Sequence, residues 1–311
     1  MIREKKHGKS GCPPLFLRKK PKQVLRFLFL IVFVLSAAGS IVCGIGCLRQ
    51  NIGAWRTKEE LQSMREEAQN GGKCNKAQFQ TGRIAAAVFA DVCGEMPPEE
   101  EEGKAPDILE QYKGLYEINP DLAGWLTIDG TVIDYPVMQT MEDESYYLSY
   151  DFYGKQNKNG CLILDTDSAA GTGTKEHDYA DGTAPTTNLI VHGHNMKSGE
   201  MFGSLKSYAD AAYGMEHKII RFDSLYEERE YELIAVFYSQ VYYESDNVFK
   251  YYKFFRADTQ EEFDDWYENI RELSLYDTGV TAQFGDEFIT LSTCSYHVED
   301  GRFVVVGKRI K

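Results

Sequence analysis

Over residues 107–311 the sequence predicts a mostly β domain with some helix, whose eight strands close into a barrel, and three observations predict it. Short runs rich in Val, Ile, Thr, Tyr and Phe alternate with Gly, Asp and Asn, as strands and their turns do. Apolar spacing of helical period occurs in only two places. Asp129-Gly130 lies between the first two runs as a hairpin signal.

In chain order, residues 1–26 form a basic tail: eight Lys and Arg precede residue 24 against Glu4 alone. Phe27 to Leu48 is 22 residues without a charge, bounded by Arg26 and Arg49, long enough for a helix to cross a hydrocarbon core. A signal peptide is the rival reading, but its apolar core is usually shorter, about 7 to 15 residues. The preceding positive charge predicts a cell-membrane protein with one span, a cytoplasmic N-terminus and everything after about residue 49 extracellular. Residues 49–106 read as a stalk and linker. Lys58 to Ala68 and Ile84 to Val92 favour helix, and Met96-Pro-Pro-Glu-Glu-Glu-Glu-Gly103 is a Pro-bounded acidic run whose charges resist burial.

The folded domain begins near Asp107 with a short N-terminal helix through Ile108, Tyr112 and Leu115. The predicted strands are Gly124 to Ile128, Thr131 to Val137, Cys161 to Leu164, Asn188 to His192, Ile219 to Phe222, Tyr231 to Tyr238, Phe288 to Ser292 and Arg302 to Val306. One long helix precedes the last two strands: Phe263, Trp266, Tyr267, Ile270 and Leu273 share a face, and Asp258 is the expected cap. The loop Thr166 to Thr187 is polar and Gly-rich, expected to be mobile or functional. It completes neither a calcium loop nor a phosphate loop, so no metal or cofactor is expected.

The formal net charge is −14, and the basic tail leaves the rest of the chain at about −21. A body so acidic is a poor binder of nucleic acid, which needs clustered cations to displace counterions. Of seven cysteines, none forms a CxxC pair or stands at zinc-ligand spacing to a histidine. Cys12 lies in the tail and Cys43 and Cys47 in the apolar span. Cys74 and Cys93 either pair or stay free, and Cys161 sits in a core-like run. Cys294 differs, because it ends a β-favouring run and meets the polar segment Ser295 to Gly301. Pairing of that run with the next sets Arg302 across from the thiol, where a guanidinium favours the thiolate and stabilises an oxyanion. A thiolate nucleophile also needs a proton carrier. His177, His217 and His297 read as surface residues, whereas His192 and His194, two apart at a strand end, remain tied.

Thr290-Leu-Ser-Thr-Cys294, Gly193-His194-Asn195-Met196 and Arg302-Phe-Val-Val-Val-Gly-Lys308 resemble the three catalytic motifs of sortases. Asn119-Pro-Asp-Leu-Ala-Gly-Trp125, Ile133-Asp-Tyr-Pro-Val137, Tyr147-Leu148-Ser-Tyr-Asp-Phe152 and the long helix make class B the nearer likeness. The resemblance implies an eight-stranded sortase-type barrel and a cysteine transpeptidase and peptidase of the hydrolase class. Cys294 is then the nucleophile, His194 the acid/base and Arg302 the charge stabiliser, with Leu148, Ser292 and His192 along the substrate groove. It implies cleavage after Thr in the C-terminal sorting signals of surface proteins. Transfer to a peptidoglycan-precursor amine or a pilin lysine follows, with no cofactor. The long 165–188 loop and His192, where an aromatic is common, depart from the family pattern. A hydrolase using the same residues and a non-catalytic surface assembly module with a structural Cys294 are the rivals.

Overall fold

Alternation makes a strand half-buried; where both faces are covered, continuous apolar runs replace it. The computed structural model describes residues 61–66 and 106–311. Its strands are β1 (Leu122–Thr127), β2 (Asp134–Met138), β3 (Leu162–Leu164), β4 (Asn188–Gly193), β5 (Ile219–Ser224), β6 (Glu230–Gln240), β7 (Phe288–Cys294) and β8 (Gly301–Arg309). They form one sheet in the order β1-β2-β3-β4-β7-β8-β6-β5, and β5 pairs back with β1 to complete a ring. Two contacts are parallel, β2 with β3 and β4 with β7; the others are antiparallel. β7 is buried over six residues and exposed only at its last, Cys294.

The helices are α1 (Glu110–Ile118), α2 (Tyr146–Ser149), α3 (Ala211–Glu216) and α4 (Gln260–Leu273). α1 buries Tyr112 and Leu115, the face expected from their spacing. α4 lays Phe263, Trp266 and Ile270 against Phe237, Phe288, Val304 and Val306, so one aromatic core joins the helix to β6, β7 and β8. Its cap is Thr259, one residue beyond the expected Asp258. Thr259 is extended, its hydroxyl accepts from the Glu262 amide, and the Glu262 carboxylate accepts from the amides of Asp258 and Thr259. β2 begins three residues later than expected, because the Thr131 hydroxyl donates to the Ile128 carbonyl and accepts from the Ile133 amide, curling 131–133 into the turn.

The loop from 166 to 187 is tied down both within itself and to Glu287. Thr172 bonds Thr183, Thr174 bonds Asp181, and the Tyr179 phenol donates to Glu287.

The expectation of a single-span membrane protein with an extracellular catalytic domain is corrected. Among the described residues no helix is long and apolar enough to cross a membrane. α4, with 14 residues, reaches only roughly 21 Å against a hydrocarbon core of about 30 Å, and it carries charged residues throughout. The tail 1–26, the apolar stretch 27–48, and the expected helix and acidic run at 84–92 and 96–103 lie outside the described residues. So do Cys12, Cys43, Cys47, Cys74 and Cys93. Of the stalk 49–106, residues 61–66 are helical and only these and residue 106 are described.

Candidate active site

A covered strand can expose a residue only where its cover ends, and β7 does so at Cys294. Arg302, on the next strand, is its register partner across the β7–β8 hairpin. The connection is tight: the Ser295 amide donates to the Gly301 carbonyl, and an added Cβ on Gly301 would stand 2.3 Å from the Ser295 carbonyl oxygen. One end of the guanidinium, Nη1, donates to the carbonyls of Asp300 and Gly301.

On the other side β4 runs parallel to β7, pairing His192 with Ser292 and Gly193 with Thr293. His194 is therefore the first residue past β4 beside the first exposed residue of β7. Two bonds fix this junction. The Thr293 hydroxyl donates to the Gly193 carbonyl at 2.7 Å, and the Asn195 amide nitrogen donates to the Cys294 carbonyl at 2.7 Å. Gly193 has no room for a side chain, since a Cβ would lie 2.5 Å from Leu162 Cδ2. The His194 carbonyl accepts from the amides of Met196 and Phe202, which fixes its backbone.

The ring of His194 is oriented by the Leu148 carbonyl, 2.8 Å from Nε2. A carbonyl only accepts, so Nε2 carries the hydrogen and Nδ1 is left to exchange a proton. His192 points elsewhere: its Nε2 lies 3.1 Å from Asp165 Oδ2. The two histidines thus have different partners.

Cys294, His194, Arg302, Leu148, Ser292 and His192 all line one cleft of about 410 Å³. Ser292 is nearly fully buried and its hydroxyl bonds the Tyr251 phenol at 2.7 Å, so it supplies floor rather than a free hydroxyl. Burial pushes the Tyr251 phenol up to about 12, with Arg302 opposing that rise and Cys294 adding to it. Burial and the neighbouring Asp165 carboxylate likewise raise the Glu144 carboxyl, on the cleft wall.

Among the described residues the other three histidines lie away from the cleft: His177 bonds Thr174, His217 bonds the Asp129 carbonyl, and His297 packs on Tyr238. Sequence reasoning gave no role to Asn195, Tyr251, Asp165 or Glu144. Asn195 was marked only by following His194. Tyr251 stands in an irregular tyrosine-rich segment with no periodicity to single it out.

No protein-family model matches the chain. Among curated proteins it is 31% identical over 206 residues to sortase B of Listeria monocytogenes, covering 66% of this chain and 76% of that one. It is 27% identical over 205 residues to sortase B of Staphylococcus aureus, covering 65% and 75%. Among solved structures it resembles sortase B from B. anthracis in complex with AAEK1, at a TM-score of 0.53 and 32% identity, covering 67% of this chain and 88% of that one. It also resembles a Staphylococcus aureus sortase B–substrate complex, at a TM-score of 0.55 and 26% identity, covering 66% and 87%.

Proposed function

The chain belongs to the sortase family, class B-like, and from that premise we propose that it is a cysteine transpeptidase with Cys294 as nucleophile, His194 as acid/base and Arg302 as stabiliser of the oxyanion. The observation that carries this reading is the register: Cys294 opposite Arg302, with His194 at the end of the parallel neighbour, all three on one cleft.

The substrate is a C-terminal sorting signal cleaved after Thr. The Cys294 thiolate adds to the Thr carbonyl carbon, and the developing oxyanion takes hydrogen bonds from the Arg302 fork. The C–N bond breaks as the departing amine takes a proton from His194 Nδ1, leaving a thioester. An acceptor amine then attacks the thioester and gives its proton back to His194. The C–S bond breaks and the thiolate is restored. The Leu148 carbonyl supports the imidazolium by accepting from Nε2 throughout. A peptidoglycan-precursor amine, or a lysine of a pilin subunit, is the acceptor chemistry this requires. Leu148, Ser292 and His192 line the groove that the peptide enters.

The test is mass analysis of Thr-containing sorting peptides incubated with the enzyme, with and without an added amine. An amide to the amine, appearing only with the amine and absent in Cys294→Ala, is the expected result. Free acid as the sole product in both arms selects hydrolysis, and transfer by Cys294→Ala would overturn the nucleophile assignment.

A further inference from the structure

We propose that Glu144, Asp165 and His192 bind a divalent first-row transition ion, zinc by donor set, in the wall of the substrate cleft. Each offers one ligand atom, and the three atoms lie within 4.8 Å of one another. Zinc bonds of about 2.0–2.2 Å in tetrahedral geometry place two ligand atoms roughly 3.3 Å apart. His192 Nε2 and Asp165 Oδ2, 3.1 Å apart, already have that separation. Glu144 is the exposed member of the set.

The other two ligands stand on fixed frames. His192 pairs in the sheet with Ile163 on one side and Ser292 on the other. Asp165 directly follows β3; its amide donates to the Ile190 carbonyl and its carbonyl accepts from the Gln139 side chain. Its Oδ1 accepts from the Asp167 amide, which turns Oδ2 to His192. The Glu144 carboxylate is held near Asp165 by the Thr166 amide at 3.4 Å.

An imidazole nitrogen with two carboxylates suits zinc, cobalt or nickel better than calcium or magnesium, which want six or more oxygens. Three protein ligands leave a fourth position for water or a peptide carbonyl. The transfer mechanism uses none of the three as an acid, base or nucleophile, so the site goes beyond that reading and does not depend on it.

Thiolates bind zinc too, so the test is made in Cys294→Ala. Calorimetry with zinc chloride and visible absorption with cobalt chloride should both give one ion per chain. Adding His192→Ala or Glu144→Gln should weaken binding at least as much as the roughly 10–100-fold seen for losses outside the ligand set. Thermal unfolding of each variant checks the fold, and exposed Glu144→Gln keeps the test valid if His192→Ala does not fold. No binding in Cys294→Ala, or binding that neither variant weakens, overturns the proposal. Because the readout is binding rather than turnover, a failed transfer reaction leaves this inference untouched.

Discussion

Cys294 is the only exposed residue of its strand, and its carbonyl is held by Asn195 while its side chain faces the cleft. Asn195 is therefore expected to act as a positioning residue for the proposed nucleophile. Asn195→Ala loses one hydrogen bond, about 1 kcal/mol. It should lower kcat by about tenfold while leaving KM nearly unchanged, as slight misplacement of a reacting atom does. A change in KM alone would show that Asn195 serves the peptide instead. His194→Ala should cost about 10²–10⁴-fold in kcat, and His192→Ala much less, because their rings have different partners. Steady-state kinetics on one peptide settles the ranking, and the reverse order would move the acid/base to His192. Arg302→Lys keeps the charge but loses the planar fork, so it should approach the roughly 10²–10³-fold loss of an oxyanion donor. A nearly wild-type rate for it would mean that charge alone suffices. At this scale the placement of Cys294 at a strand end opposite Arg302 was legible in the sequence, because a β-favouring run that stops at a polar segment marks both the strand end and the hairpin register. His194 needed the family likeness, and Tyr251 gave no signal because its bond to Ser292 joins residues 41 apart.

The elements that hold these residues were legible in kind, less so in extent. All eight strand runs recur as strands, since alternation and β-branched content report local burial. Their ends moved wherever a side chain captured the backbone, as Thr131 does before β2 and Thr259 does before α4. α2, at 4 residues, and α3, at 6, are too short to show a helical period in sequence. Helix α4 is the clearest test of an element. Its capping box satisfies amides at the helix start and orients the face that packs on Phe288. Thr259→Ala should cost about 1 kcal/mol of stability, and Thr259→Ser far less, read as shifts in unfolding midpoint. Equal losses for both would mean that the Thr259 methyl, not its hydroxyl, matters.

For the whole molecule the sequence offers pairing partners only where a hairpin joins neighbouring runs, because alternation says which face is buried and not which distant strand lies alongside. The neighbours β4 and β7 join residues 100 apart at the Thr293–Gly193 bond, and no local pattern announces that. The anchoring of the 166–187 loop, expected to be mobile or functional, was illegible for a related reason: several of its partners are distant residues. Tyr179 and Lys175 reach Glu287, and Arg309 of β8 reaches Tyr179, Glu287 and Glu227. Burial alone would raise both carboxyls. In Glu287 the Tyr179 phenol and Arg309 outweigh burial, and in Glu227 the Lys175 amide, Arg309 and Arg229 do, so both lie below the usual glutamate value of 4.5. A carboxyl whose pKa is lower folded than unfolded stabilises the fold above the unfolded value and loses that contribution as pH falls through the folded one. The network should therefore hold from neutral pH down to about 4.5 and fail progressively below it, releasing the loop from β8. Arg309→Met takes the shared guanidinium from two partly buried carboxylates, so it should lower the unfolding midpoint at pH 7 and narrow its gap to wild type as acid protonates both. Unfolding midpoints of the two proteins from pH 7 down to pH 3 test this. A gap that stays constant or widens toward acid would show that Arg309 contributes packing and not charge.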